Sequence, residues 1–219
     1  MTLPTRDAYR LWAPHYTDET AVTILEDRLV GRLTPSLTNR TLLDAACGTG
    51  RRLPGDGACR LALGVDLVPE MLRAARHPAG RLVVGDLSAL PLPNQSFDVV
   101  WCRLALGHVP DLEPAYAELA RVLRADGTLV VTDFHPAAAA AGHRRTFRDG
   151  ARTLHELEHH VHAPEHHVGV AHATGLAIVE RVDAAVGPEL RPVYERADRL
   201  VWYERDRGLP LVLALRFQR

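Results

Sequence analysis

The chain has 219 residues, 47% of them hydrophobic and 24% charged, enough to bury the core of one domain and ordinary for a globular chain. A formal net charge of −1 supplies no global field for nucleic acid or an anionic membrane, and no apolar run approaches the ~20 residues that span a bilayer. Three cysteines, Cys47, Cys59 and Cys102, lack metal or redox spacing and fit a reducing compartment. With no signal-peptide core at its start, a cytoplasmic location is expected.

In chain order, residues 7–16 read DAYRLWAPHY. They put Tyr9, Trp12 and Tyr16 on a short helix and on the turn that Pro14 forces. Thr20–Leu33 carries Val22, Leu25, Leu29, Val30 and Leu33 on one helical face, and Pro35 ends it. Then comes Thr41–Gly50, TLLDAACGTG. Leu42 and Leu43 predict a first strand, Asp44 follows, and Ala46-Cys47-Gly48-Thr49-Gly50 is a tight turn. A strand running into such a turn brings backbone N–H groups close to a ligand, where a side chain would block the approach. Arg51–Leu53 should make about one helical turn before Pro54 and Gly55 break it.

Leu61–Val65 predicts the second strand, closed by Asp66. An acid at that point accepts hydrogen bonds from ribose hydroxyls in Rossmann-like sheets. A helix follows from Val68 to about Arg76, with Pro69 in its first turn. Arg81–Gly85 is the third strand and ends at Asp86. Pro91–Asp98 turns into the fourth, Phe97–Cys102. Asp111–Arg124 is an amphipathic helix on Leu112, Ala115, Tyr116, Leu119, Val122 and Leu123. Thr128–Thr132 is the fifth strand. Beyond it, Arg145–Arg148 and Ala151–Leu157 flank Asp149-Gly150, a two-residue hairpin signal. Pro164–Gly175 reads as a helix, Leu176–Val182 as the sixth strand, Ala197–Asp206 as a helix and Leu209–Phe217 as the seventh strand.

Strand, glycine loop and distal acid suggest a nucleoside-bearing cofactor. A dinucleotide fingerprint is G-x-G-x-x-G and seats a pyrophosphate. Here the spacing is Ala46-x-Gly48-x-Gly50 behind Asp44. A carboxylate there would repel a pyrophosphate and suits a sulfonium or ammonium ligand. That points to S-adenosylmethionine (SAM). The loop resembles the first signature of class I SAM-dependent methyltransferases, (D/E)-x-G-x-G-x-G, with Ala46 in place of the first glycine. Tyr9–Tyr16 resembles the aromatic opening of the small-molecule members. Asp86-Leu87 resembles the third cofactor signature, Pro91–Asp98 the L-P-F-P-D-x-S-F-D turn, and Leu106–Val109 the L-x-H-V that follows. The likeness runs from about Tyr9 to Pro136.

The resemblance implies one α/β domain over residues 1–219. Its sheet would be Rossmann-like, seven-stranded and mostly parallel, with the last strand antiparallel, helices on both faces and strand order 3-2-1-4-5-7-6. An N-terminal cap helix (about 5–33) and a lid insertion (about 137–163) complete it. The implied cofactor residues are Tyr16, Asp44, Ala46, Gly48, Gly50, Asp66, Leu67, Asp86, Leu87 and Arg103. Asp86 would accept from the adenine amino group and Leu87 would pack on the ring. The implied activity is in-line methyl transfer to a small molecule, leaving S-adenosylhomocysteine. A non-methylating SAM reaction such as cyclisation, or a non-catalytic SAM-binding module, are the alternatives. No basic arm and no Asn-Pro-Pro-aromatic motif after the fourth strand marks a nucleic-acid reader.

Residues that follow strands four and five face the crevice of such a sheet. His135, with His108 as the second choice, is the candidate general base. Tyr9, Trp12, Arg144, Arg145 and His160 are candidates for the acceptor side and the lid. The histidines between His143 and His172 have no cysteine partners, so a lid lining is expected there and not a metal.

Overall fold

The computed structural model describes residues 2–16, 20–75 and 81–219. The chain opens with β1 (Thr2–Leu3), α1 (Thr5–Trp12) and α2 (Ala21–Leu33). Thr20 caps α2 by accepting from the Thr23 N–H, and the Thr23 side chain answers to the Thr20 backbone. The first central strand, β2 (Thr41–Ala45), is buried along its whole length. There follow β3 (Leu61–Asp66), α3 (Pro69–Arg73), β4 (Leu82–Val84), β5 (Phe97–Arg103), α4 (Leu112–Val122), β6 (Leu123–Phe134) and α5 (Pro136–Ala140). A hairpin, β7 (Thr146–Arg148) and β8 (Leu154–Leu157), precedes α6 (Pro164–Ala173). The chain then runs through β9 (Ala177–Ala185), α7 (Arg191–Arg196), α8 (Leu200–Asp206) and β10 (Pro210–Gln218).

Seven strands form one sheet in the order β4-β3-β2-β5-β6-β10-β9. Counting central strands alone, that is 3-2-1-4-5-7-6, as the sequence predicts. The first five run parallel, and β10 is antiparallel to both β6 and β9. Successive side chains of a strand alternate faces, so neighbouring apolar pairs feed two cores. Leu43, Val100 and Val131 pack with Tyr116 and Leu119 of α4 on one face. Leu42, Val99 and Val130 pack with Leu25, Leu29 and Leu33 of α2 on the other.

The differences from expectation have local causes. Arg51–Leu53 is a turn and not a helix, with Pro54 behind it. Within 197–206 the helix begins only at Leu200, because Asp198 is left-handed at φ +54°. The hairpin closes with a longer turn than Asp149-Gly150 alone would give. Asp149 binds across it: its Oδ1 accepts from the Thr153 N–H at 2.9 Å, and its carbonyl from the Arg152 N–H at 2.8 Å. β6 starts earlier than expected, and its register against β5 slips where Ala125-Asp126-Gly127 bulge out. The expected end of the third helix, Arg76, lies outside the described residues. No pattern in the residues announces β1, which adds to the hairpin in parallel, Thr2 opposite Glu156 and Leu3 opposite Leu157. Ala8 of α1, Phe147 and Leu157 make a small core beneath that three-stranded sheet.

Candidate functional site

Strand order reverses at β2, which lies between β3 and β5, and a crevice opens at the carboxyl ends there. The loop after β2 winds through three left-handed residues, Ala46, Gly48 and Gly50, at φ +67°, +60° and +64°. Glycine adopts that conformation freely, whereas an L side chain costs ~1 kcal/mol, so Ala46 carries strain. The Gly48 N–H donates to Asp66 Oδ2 at 2.7 Å, and the Val68 N–H donates to Oδ1 at 2.9 Å. The carboxylate that ends β3 therefore braces the loop that ends β2. Burial pushes the Asp66 carboxyl up, against the pull of those two N–H groups. A Cβ on Gly48 would stand 3.2 Å from Met71 Cε.

Asp44 is 2% exposed, and its Oδ1 has no hydrogen-bond partner. Burial raises its pKa to about 7, with Glu26 adding to the rise and Arg103 opposing it. A buried carboxylate in that state is a seat for a cation. The guanidinium beside it is spoken for. Arg103 Nε and Nη2 donate to Glu26 at 2.7 and 2.6 Å, and Nη2 also reaches Asp27. Arg103 lines the crevice, yet its fork is committed to α2 and not open to a cofactor.

The crevice is lined on this side by Tyr16, Ala46, Gly48, Leu67, Asp86 and Leu87, together with Asp44 and Asp66. Gly50 shapes the turn by donating to the Cys47 carbonyl and does not reach the wall. Sequence reasoning missed Glu26, Arg51 and Met71, which also line it. Glu26 was detectable, since it falls on the apolar stripe of α2, four residues from Val22 and three from Leu29. Arg51 follows the loop directly, and its Nε is buried with no partner.

The opposite wall is α1 and the hairpin. Tyr9, His108 and Arg145 line it. His108 Nδ1 lies 3.3 Å from the Glu158 carbonyl, which can only accept, so Nδ1 bears the proton. Nε2 is then the acceptor for the Tyr9 hydroxyl at 3.0 Å. Burial, and next the Arg145 charge, hold the His108 imidazole well below its usual range. Burial likewise pushes the Tyr9 hydroxyl up, with Arg145 opposing.

Four expected site residues stand elsewhere. His135 is outside the crevice. It caps α5, its Nδ1 accepting from the Ala137 N–H at 3.0 Å and its Nε2 donating to Asp183 at 3.1 Å. Both nitrogens are used, so the geometry does not fit the general base expected of it. Trp12 is sandwiched between Tyr9 and Phe147, at 5.7 and 5.0 Å between ring centroids, and is a packing anchor. Arg144 donates to the Ala139 and His143 carbonyls and lines a second cavity. His160 lines neither cavity. Its backbone N–H donates to the Gly107 carbonyl at 2.7 Å, which ties the segment after β8 to the end of β5.

Residues 43–131 match the family described as a methyltransferase domain. Over that segment the chain is similar to class I S-adenosylmethionine-dependent methyltransferases. Over 125 residues it is 37% identical to the malonyl-[acyl-carrier protein] O-methyltransferase of Enterobacter lignolyticus, covering 55% of this chain and 49% of that one. Over 141 residues it is 35% identical to the 27-O-demethylrifamycin SV methyltransferase of Amycolatopsis mediterranei, covering 58% and 50%. The chain thus spans about half the length of the curated relatives it matches. A SAM-dependent methyltransferase structure from Mesorhizobium loti superposes with a TM-score of 0.70 at 22% identity, over 89% of this chain and 98% of that one, which speaks for the fold. The cofactor of those relatives fits the residues of this crevice. The unpartnered Asp44 oxygen suits a sulfonium, and the loop of left-handed residues offers backbone where side chains would obstruct. Among the described residues no helix is long and apolar enough to cross a membrane.

Proposed function

We propose that the chain transfers a methyl group from SAM to an oxygen of a small-molecule acceptor. The observation that carries the reading is Asp44, a buried carboxylate with an unpartnered oxygen beside a loop of left-handed residues. When bound, SAM supplies an electrophilic methyl group on a sulfonium. Asp44 meets the cofactor's positive charge. Asp66, whose oxygens keep a lone pair each beyond the Gly48 and Val68 bonds, accepts from ribose hydroxyls. Asp86 and Leu87 hold the adenine. Arg51 takes the amino-acid carboxylate with the buried Nε it leaves unpaired. The names of the relatives, both of them methylating oxygen, support the acceptor atom.

The chain works as one domain in which α1 and the hairpin form a lid over the acceptor and exclude water. Alignment in a closed crevice contributes most of the rate in such a displacement. A net charge of −1 favours a small acceptor over nucleic acid, and free Cys47, Cys59 and Cys102 fit the cytoplasm. The test is incubation with SAM and a panel of hydroxyl and carboxyl acceptors. Mass spectrometry should find S-adenosylhomocysteine and an acceptor heavier by one methylene in equal amounts. Consumption of SAM with no methylated acceptor would favour a non-methylating reaction instead.

A further inference from the structure

Arg145 lines both the crevice and the second cavity. Two other arginines around the crevice have acids, Arg103 with Glu26 and Arg52 with Asp27, and Arg51, with its unpartnered Nε, stands on the cofactor side. Among the described residues no carboxylate lies within ion-pair distance of Arg145. Its Nη1 is buried with no hydrogen-bond partner, and Nη2 reaches only the Tyr9 hydroxyl, at 3.4 Å. Asp133, whose carboxyl feels the Arg145 charge, is engaged elsewhere. Its Oδ1 accepts from the Phe134 N–H at 2.8 Å, and its Oδ2 faces His167 at 3.6 Å. A guanidinium nitrogen buried without a partner or an anion is costly, and the cost is recovered when a ligand brings the anion.

The nucleophile follows from what the same wall lacks. His108 Nε2 is taken by the Tyr9 hydroxyl, and its ring is held neutral by burial and by Arg145. The Tyr9 hydroxyl is no acid, and His135 is outside the crevice. Asp44 is on the cofactor side. His159, beside His108, leaves its Nε2 unpartnered, but burial lowers its imidazole to about 4, and among the described residues of this wall none of these groups is fitted to strip the proton from an alcohol, whose pKa is far above theirs. A carboxylic acid needs no such help, because it is ionised at neutral pH.

We propose that Arg145 anchors an acceptor subsite for a carboxylate, that the carboxylate is the group methylated, and that the second cavity takes the rest of the acceptor. The proposal rests on the methyltransferase reading above. A carboxylate oxygen uses a lone pair to form the new O–C bond to the methyl carbon. The C–S bond breaks with its electron pair passing to sulfur. The acceptor's negative charge and the sulfonium's positive charge cancel, and no proton moves. The product is a methyl ester, which has lost the charge that Arg145 held, so it leaves more readily than the acid binds.

The experiment is calorimetric titration of the chain, saturated with S-adenosylhomocysteine, with octanoate, benzoate and phenylacetate, each beside its primary amide, and with octyl phosphate. At least one acid should bind and its amide should not. Arg145→Gln should weaken acid binding about 10–100-fold, and Arg145→Lys should recover part of it. Both variants should melt like the parent and keep S-adenosylhomocysteine affinity within about threefold, since Arg145 is placed outside the cofactor half. At saturating SAM, methyl ester formation should stay flat from about pH 6 to 9, because the acceptor is already ionised. Equal acid binding by Arg145→Gln, no acid binding by the parent, preference for octyl phosphate, or a rate that rises through the imidazole range would each overturn the proposal. Failure to bind S-adenosylhomocysteine at all would overturn the methyltransferase reading instead.

Discussion

The two walls of the crevice are built by different means. The cofactor wall comes from short contiguous stretches at strand ends: Asp44–Gly48, Asp66–Val68 and Asp86–Leu87. Its shape is set by backbone dihedrals and by one carboxylate reaching the neighbouring loop. The opposite wall, the proposed acceptor side, is assembled from α1 and the hairpin. β1 pairs with a strand over 150 residues further on, and Trp12 stacks on Phe147. A wall made of local geometry can be damaged at one residue without unfolding the rest. A wall made of distant packing fails as a unit. Variants at each wall should therefore part company in what they lose.

The largest effect is expected at Gly48. Gly48→Val forces a β-branched residue to φ +60° and sets its Cβ against Met71. S-adenosylhomocysteine affinity should fall about 100-fold or more, while the fold loses only ~1–2 kcal/mol. Normal binding by that variant would mean that the loop is not the cofactor wall.

Asp44 sharpens the contrast through pH. Its carboxyl titrates near 3.8 in an unfolded chain and at about 7 in the folded one. Between those values the folded state binds more protons than the unfolded, so this group's contribution to stability falls as pH rises. Asp44→Asn should thus stabilise the cofactor-free chain by about 1–2 kcal/mol at pH 8 and by less at pH 5. The same variant should bind SAM more weakly, and the parent should bind SAM more tightly at pH 8 than at pH 6. Melting curves and titrations at both pH values check the pair of signs. Stability and affinity moving together would place Asp44 in a structural role.

On the acceptor wall, Phe147→Ala removes a ring that is 4% exposed and stacked on Trp12 at 5.0 Å. Hydrogen exchange over residues 146–157 should speed up, reflecting ~1–3 kcal/mol of lost packing in the small sheet, while S-adenosylhomocysteine affinity changes less than about threefold. A matching loss of cofactor affinity would show that the two walls are one cooperative unit. The smallest effect is expected at His135. His135→Ala should cost ~0.5–2 kcal/mol by uncapping α5 and leave turnover unchanged. A large loss of turnover with the fold intact would restore it as a catalytic residue.

The same division explains what was legible in the sequence. The sheet order and the loop were legible because apolar runs, glycines and strand-end acids carry their meaning within a few residues. The lid was half legible. Asp149-Gly150 announced a hairpin, but not that Thr2–Leu3 would join it, since two residues of strand have no periodicity of their own. His135 and Arg103 misled for one reason. Position after a strand puts a residue near a crevice, but its hydrogen bonds to Asp183 and Glu26 decide whether it is available, and those partners lie 48 and 77 residues away. Arg145 and Arg51 show the opposite property, a charge with a buried nitrogen that has no partner.

The most direct test of the central claim is calorimetric titration of the chain with SAM and, separately, with NAD, beside the Asp44→Asn variant. The loop and the unpartnered carboxylate predict saturable SAM binding, weakened in the variant, and no heat from NAD. Tight NAD binding with no response to SAM would contradict the account.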